Sequence, residues 1–271
     1  MKKMSLFMVL AVVLVAGVAR ADLVARYEFE GNFNDSSGNG HTGTPMGDAA
    51  IVNWAPMPQT GMLSLPGNGT SQADGVDLGT SSDFDLSTAF TIAAWINPST
   101  LEHNGTYDGT PIVGKYGNPG DAERRGYYFH FTEAGALKIC VRRMDSPVGD
   151  KTLLSDDGYV EAGVWHHVAA TYEYVTNGTS ILKLFADGVE VASLDTVLGP
   201  VDVHADQIAE IGHFYWGGNL QEYGGLMDDV RIYNNAMSAA EIRGMVVPEP
   251  MTMALLAFGG LVLSHRQKRR A

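Results

Sequence analysis

The chain has 271 residues, 31 acidic against 18 basic side chains, a formal charge of −13 and one cysteine. The single cysteine, Cys140, excludes an internal disulfide and a thiolate metal cluster. The acidic balance excludes nucleic acid as a partner, because phosphate binding needs basic patches.

Met1 to Ala21 has a basic start at Lys2 and Lys3, an apolar run from Leu6 to Val18, and the small-x-small site Ala19-Arg20-Ala21. This predicts a secretory signal peptide cut after Ala21, and hence export. From Leu23, alternation through Val24, Arg26, Tyr27 and Phe29 predicts a β-strand with an irregularity. Gly31 to Thr44 is a turn of Gly, Asn, Asp and Ser. It is either an ordinary turn or a loop whose oxygens at Asn34, Asp35 and Asn39 wrap a hard cation such as Ca²⁺. Residues 45–80 are rich in turn formers, with a short strand at Val76 to Leu78.

Phe90 to Pro98 is a clear strand, with Phe90, Ile92, Ala94 and Ile96 on one face and Trp95 on the other. Ile112 to Tyr116, Gly126 to Phe131 and Leu137 to Val141 follow as strands. Cys140, inside the last of these, reads as a small buried hydrophobe. Trp165 to Tyr172 alternates again. Leu182 to Ala192 is a hairpin turning at Asp187-Gly188. Gln207 to Gly212 is a strand, and Phe214 to Asn219 an aromatic loop. The Asn-Gly-Thr triplets at Asn68, Asn104 and Asn177 read as Asn-Gly turns. At least nine short strands and almost no helix predict an all-β sandwich or barrel.

Gly224-Gly225 opens the last strand, Leu226 to Tyr233. Parity places Asp228 on the face of Val230 and Ile232, the face due to be buried. A carboxylate there needs a cation, a metal or several N–H donors; a bulge would instead leave it at a solvated strand end. Ser238 and Glu241 have capping-box spacing for a short helix. The chain ends on Val247-Pro248-Glu249-Pro250, a 13-residue apolar run from Met251 to Leu263, and a basic tail with Arg266, Lys268, Arg269 and Arg270. The ends carry seven of the 18 basic and one of the 31 acidic residues, so residues 22–246 hold about −19.

Pro248-Glu249-Pro250, the apolar run and the basic end together resemble the PEP-CTERM sorting signal of bacterial surface proteins. That resemblance implies a short membrane helix as a transient inner-membrane anchor, removal of the tail by an exosortase, and delivery to the cell surface or extracellular matrix; a plain tail anchor is the alternative. The central region resembles a laminin-G-like, concanavalin-A-like jelly roll. The residues that carry this are Tyr27-x-Phe29, Asp35-x-Ser37-Gly38-Asn39-Gly40, Phe90-Thr91-Ile92-x-x-Trp95-Ile96, Trp165-His166-His167-Val168-Ala169, Leu184-x-x-Asp187-Gly188 and Asp228-Asp229-Val230-Arg231-Ile232-Tyr233. It implies two stacked antiparallel sheets over residues 22–246, with first and last strands adjacent. It also implies a calcium ion near that junction, at positions matching Asp35, the turn to His41, and Asp228. The expected ligands are the side chains of Asp35 and Asp228, carbonyls around Asn39 and His41, and Asp229 as a further candidate.

For function, His166 and His167 point to opposite faces of one strand and do not serve one ion. Tyr107, Tyr116, Tyr215, Trp216 and Tyr223 sit in or near loops, where aromatic rings either stack on sugars or cover the core edges. No run has carboxylates at the alternating spacing of polysaccharide-cleaving enzymes on this fold. Asp206 and Glu210 have the wrong spacing, and Asp228 and Asp229 are adjacent. The expectation is a non-catalytic exported module binding a glycan or matrix polymer. A structural or adhesion protein with a protein partner is the first rival, and a polysaccharide-cleaving enzyme the second.

Overall fold

The computed structural model describes residues 22–54, 57–67, 69, 73–102, 109–116, 126–143, 150–203, 205–216 and 219–246. The signal segment with Ala21, the tail with Pro248, Glu249 and Pro250, and Tyr107 lie outside them. Among the described residues no helix is long and apolar enough to cross a membrane.

The strands, in chain order, are β1 (Leu23–Tyr27), β2 (Thr44–Met46), β3 (Ala50–Trp54), β4 (Met57–Leu65), β5 (Gly75–Asp77), β6 (Ala89–Pro98), β7 (Thr110–Tyr116) and β8 (Gly126–Phe131). They continue with β9 (Leu137–Arg142), β10 (Lys151–Leu154), β11 (His166–Thr176), β12 (Thr179–Ala186), β13 (Val189–Val197), β14 (Glu210–Ile211), β15 (His213–Trp216), β16 (Asn219–Glu222) and β17 (Gly225–Tyr233), before the α-helix α1 (Ala239–Met245); a 3-10 turn, Ser82–Phe84, lies between β5 and β6.

Two antiparallel sheets stack as a jelly-roll sandwich. Sheet A runs β13-β12-β11-β6-β17-β4-β3, with β1 added against β17, and sheet B runs β10-β9-β8-β7-β14-β5-β2. The alternation read from the sequence builds the core between them. On β9, Leu137, Ile139 and Val141 are buried while Lys138, Cys140 and Arg142 are partly exposed. They meet Phe90, Ile92, Ala94 and Ile96 of β6 and Val230 and Ile232 of β17 in one hydrophobic cluster. The helix covers part of the other face of sheet A, where Ile242 and Met245 pack with Ala93, Ala169, Phe185 and Tyr233. Its capping box is formed: Glu241 accepts from the Ser238 backbone N–H at 2.7 Å, and Ser238 Oγ accepts from the Glu241 N–H at 3.4 Å.

Two of the expected tight turns form, while those at Asn68 and Asn104 lie outside the described residues. Asn177 and Gly178 have φ of 52° and 82°, and Asp187 and Gly188 have φ of 49° and 77°, the paired positive values that hairpin twist requires. The turn-rich stretch 45–80 contains three strands that its composition hides, β2, β3 and β4. The strand expected over Gln207 to Gly212 shrinks to the two residues of β14. Phe214 to Trp216 and Asn219, expected in an aromatic loop, lie instead on the paired strands β15 and β16. Cys140 lies outside the main core, packed as a partly buried hydrophobe against the cluster of Tyr116, Tyr128 and Phe214. It lies half-buried on the outer face of sheet B, 3.3 Å from Thr152 Oγ1, because the core residues of β9 are the odd-numbered ones.

First and last strands are neighbours, Tyr27 opposite Val230 and Arg26 opposite Arg231. The last strand changes partner along one edge: Gly225 to Met227 pair with β4, and Val230 to Tyr233 pair with β1. Between them the register with β6 slips, and Asp229 takes φ 45°. This bulge corrects the parity of Asp228. The residues on the core side are Met227, Val230 and Ile232, all fully buried, so Asp228 stands opposite Trp95 on the outer side of the sheet.

Candidate functional site

One register row crosses all of sheet B. Thr152 pairs with Cys140, Cys140 with Tyr128, Tyr128 with Gly114, Gly114 with Glu210, Glu210 with Asp77, and Asp77 with Thr44. The residues flanking Glu210 and Asp77 in their strands, Ile211 and Val76, are fully buried in the core, so this row lies on the outer face. Gly114 is the low point. A Cβ there would sit 2.9 Å from Tyr128 Cδ2, so the glycine is what lets the Tyr128 ring lie down over β7.

The hairpin β15–β16 folds against this face. Phe214 packs on Tyr128 at 4.5 Å between ring centroids and on Tyr116 at 5.6 Å, and Tyr128 Oη donates to Gln221 Oε1 at 3.1 Å. His213 lies over Gly75, where any Cβ would meet its ring. The result is an aromatic cluster of Tyr116, Tyr128 and Phe214 outside the main core, bordered by polar groups.

Several of those polar groups lack hydrogen-bond partners. Gln221 is 1% exposed and its Nε2 donates to nothing; His213 is 7% exposed and neither ring nitrogen makes a hydrogen bond. Buried polar atoms normally find a protein or water partner, so their clustering on an outer face marks a place built to receive one. Glu210 adds to this. Burial, then the charge of Asp77, raises its carboxyl to about 8, while burial holds His213 down to about 4. His213 Nδ1 stands 3.9 Å from Glu210 Oε2. Asp77 accepts the Gly79 N–H at 2.6 Å and stays partly exposed. At neutral pH the site thus holds a protonated carboxyl, a neutral imidazole and an amide, next to rings packed on one another at tilted and edge-on angles.

Of the aromatic residues expected to bind, Tyr116 belongs to this cluster. Tyr215 and Trp216 lie on β15, but their side chains are outside what is described, as is Tyr107. Tyr223 is a correction. It is fully buried, with its hydroxyl donating to the Leu226 carbonyl at 2.8 Å, because β16 leads directly back into the core. Glu210, Asp77, His213 and Gln221 were not legible as a site, since cross-strand register, not sequence spacing, brings them together. The one local hint was a glycine inside the strand pattern of β7.

The residues expected to hold calcium sit at the junction of β1 and β17. Asp35 accepts four hydrogen bonds, from the backbone N–H groups of Arg26, Ser37 and His41 and from Ser37 Oγ, at 2.7–3.1 Å. These bonds outweigh its partial burial and lower its pKa. Its oxygens are fully used, so Asp35 does not fit the ligand role. The Asn39 amide donates to the Leu23 and Val24 carbonyls. The His41 carbonyl accepts from Tyr27 Oη at 2.6 Å, and its ring faces Asp83. Asp229 is held by Arg26 and Arg231. Asp228 alone is short of donors: it accepts only the Asp229 N–H, and burial with the charges of Asp229, Glu30 and Glu28 lifts it to about 7. Among the described residues no group of three or more His, Cys, Asp or Glu side chains is placed to hold a metal ion.

Residues 68–243 match the Laminin_G_3 family model, described as the concanavalin A-like lectin/glucanases superfamily, and the chain belongs to that family. None of the curated proteins compared matches it. Among solved structures it is similar to domain 4 of AbnA, a GH43 extracellular arabinanase from Geobacillus stearothermophilus, in complex with arabinotriose. That likeness has 21% identity and a TM-score of 0.56, over 83% of this chain and 98% of that one. It is also similar to the Ruminococcus gnavus IT-sialidase CBM40 bound to α2,3-sialyllactose, with 17% identity, a TM-score of 0.54, and 74% and 97% coverage. A third is the binding domain of Paraclostridial Mosquitocidal Protein 1, with 16% identity and a TM-score of 0.58; the match covers 83% of this chain and 52% of that one. At these identities the likeness is one of fold. The first two of these structures hold an oligosaccharide, and the third is a toxin's binding domain.

Proposed function

We propose that this protein is an exported, non-catalytic module that binds a glycan on the outer face of sheet B. One observation carries the reading: a row of seven strands places a largely buried aromatic cluster, separate from the main core, beside buried polar atoms with no hydrogen-bond partner, on the outer side of sheet B under the β15–β16 hairpin. Polar groups that take up hydroxyls, set beside apolar rings, are what a glycan needs. Two of the similar solved structures hold an oligosaccharide, which supports the same reading. The test is retardation of the protein by soluble polysaccharides in affinity electrophoresis. A binding polysaccharide should lose about tenfold or more affinity for Asp77→Ala, the loss of one charged hydrogen bond. A protein that no polysaccharide retards would refute the assignment.

Export by the segment ending at Ala21, and sorting by the Pro248-Glu249-Pro250 tail through an exosortase to the cell surface, belong to the same proposal. So does calcium, with its site reduced to Asp228. The expected ligand Asp35 is saturated, whereas a cation at Asp228 would offset the like charges of Glu28 and Glu30.

A further inference from the structure

Glu210 and Asp77 are direct partners on adjacent antiparallel strands, Cα opposite Cα, on the same outer face. Side chains so placed have Cβ atoms about 4.5–5.5 Å apart. Among the described residues neither carboxyl group meets a cation. The basic side chains that β9 sends to this face are Arg142 and Lys138. Arg142 is spent on Asp150, by contacts of 2.7 and 3.1 Å, and Lys138 is already partnered. His213, the nearest imidazole, is buried and makes no hydrogen bond. Behind it lie two more carboxylates, Asp74 and Glu222, joined by the Asp74 N–H to Glu222 Oε1 bond at 2.9 Å. Among the described residues nothing positive is in contact with this half of the face, so its field is negative.

We propose that this half of the face selects neutral glycans and rejects acidic ones, with two neighbouring ring hydroxyls bridging Glu210 and Asp77. The inference rests on the glycan-binding reading above and names its substrate class. Two carboxyl groups this close hold one proton between them more readily than two negative charges. Burial makes Glu210 the one that keeps it, as its raised pKa agrees. The pair then presents one O–H donor and one carboxylate acceptor. A sugar diol presents the complement, an oxygen that accepts and a hydroxyl that donates. The buried Gln221 Nε2 and the His213 ring supply further unspent hydrogen-bonding groups at the edge of the same site. A uronate or sialate would instead bring a third carboxylate against Asp77, with no cation among the described residues in contact to receive it, and repulsion across a few ångströms of partly dry interface is strong.

The experiment is calorimetric titration of the protein with two sets of oligosaccharides at pH 7. The neutral set is arabinotriose, xylohexaose, cellohexaose and mannohexaose; the acidic set is hexagalacturonate and sialyllactose. At least one neutral sugar should bind about tenfold or more tightly than either acidic one. In the Glu210→Gln/Asp77→Asn variant, which keeps the hydrogen-bonding shape without the charge, that gap should narrow. If the double variant does not fold, the half-exposed Asp77→Asn alone gives the readout. Acidic sugars binding the wild type as tightly as neutral ones, or a gap unmoved in a folded variant, would overturn the selectivity and leave glycan binding standing. Binding of neither set would overturn both.

Discussion

Arg26 Nε donates to Asp229 Oδ1 at 2.8 Å, joining the first strand of the domain to the last across 203 residues of chain. The same carboxylate accepts from Arg231 Nε at 2.8 Å, so one acid holds two guanidinium groups at the point where β17 exchanges β4 for β1. The bulge makes this possible: with φ 45°, Asp229 turns toward both arginines, and the arginines lower its pKa against the effect of burial.

Asp229→Ala removes that partner from two half-buried cations and puts alanine at a positive φ. The expected cost is about 2 kcal/mol. For a domain of this size that is a fall of about 4–8 °C in melting temperature. Asp229→Asn, which tolerates the backbone, should lose less. Thermal melts of the three proteins check this, and equal midpoints would contradict the clasp.

Deleting Asp22 to Phe33 should abolish cooperative unfolding. It strips β1 from Val230 to Tyr233, leaves that half of the β17 edge unpaired, and removes the buried Val24, Tyr27 and Phe29. A deletion variant with an unchanged cooperative melt would show that the N-terminal strand is dispensable.

Stability should fall as pH rises above about 6.5. Asp228, beside Asp229, Glu30 and Glu28, has its folded pKa raised to about 7, and Glu210, beside Asp77 and His213, to about 8. Each therefore stabilises below its unfolded pKa and loses that contribution as pH rises through the folded one. His167 and His213 act oppositely. Burial lowers both to about 4, so their contribution is present above the unfolded 6.5 and is lost as pH falls toward 4. From about 6.5 to 4.5 the two pairs offset one another. Urea midpoints at pH 5, 6.5 and 8.5 should be nearly level for the first two and lower for the third. A midpoint that rises from 6.5 to 8.5 would refute the assignment, and Glu210→Gln should flatten the alkaline fall.

Calcium separates the two acids once expected to share it. If the ion sits at Asp228, excess Ca²⁺ over chelator should raise the melting midpoint, by about 2.7 kcal/mol of stability at 100-fold above Kd. Asp228→Asn should lose that increment. Asp35→Asn should lower the midpoint equally with and without calcium, because its carboxylate serves four hydrogen bonds of the first turn. No calcium effect on the wild type would reject the ion.

Much of the sandwich was legible because its signals are local. Alternation on β6 and β9, the Asp187-Gly188 turn and the Ser238–Glu241 box all act over a few residues. Asp228 was misplaced by parity because a bulge is set by the competing partners of β17, not by its own residues. Tyr223 looked like a loop aromatic because the glycines after it suggest a turn, yet the backbone carries it straight into the core. The row through Gly114, Glu210 and Asp77 needed the register of three strands far apart in sequence, and single-strand spacing could not show it. Strands β3 and β4 were hidden under prolines and glycines of the 45–80 stretch.

The central claim is that sheet B receives the glycan on its outer face. Backbone amide shifts of isotope-labelled protein, followed during titration with a bound neutral oligosaccharide, test it most directly. Perturbations should centre on Tyr128, Gly114, Glu210 and Asp77 and extend toward Cys140 and Thr44. Perturbations confined to the outer face of sheet A, around Trp95 and His167, would contradict it.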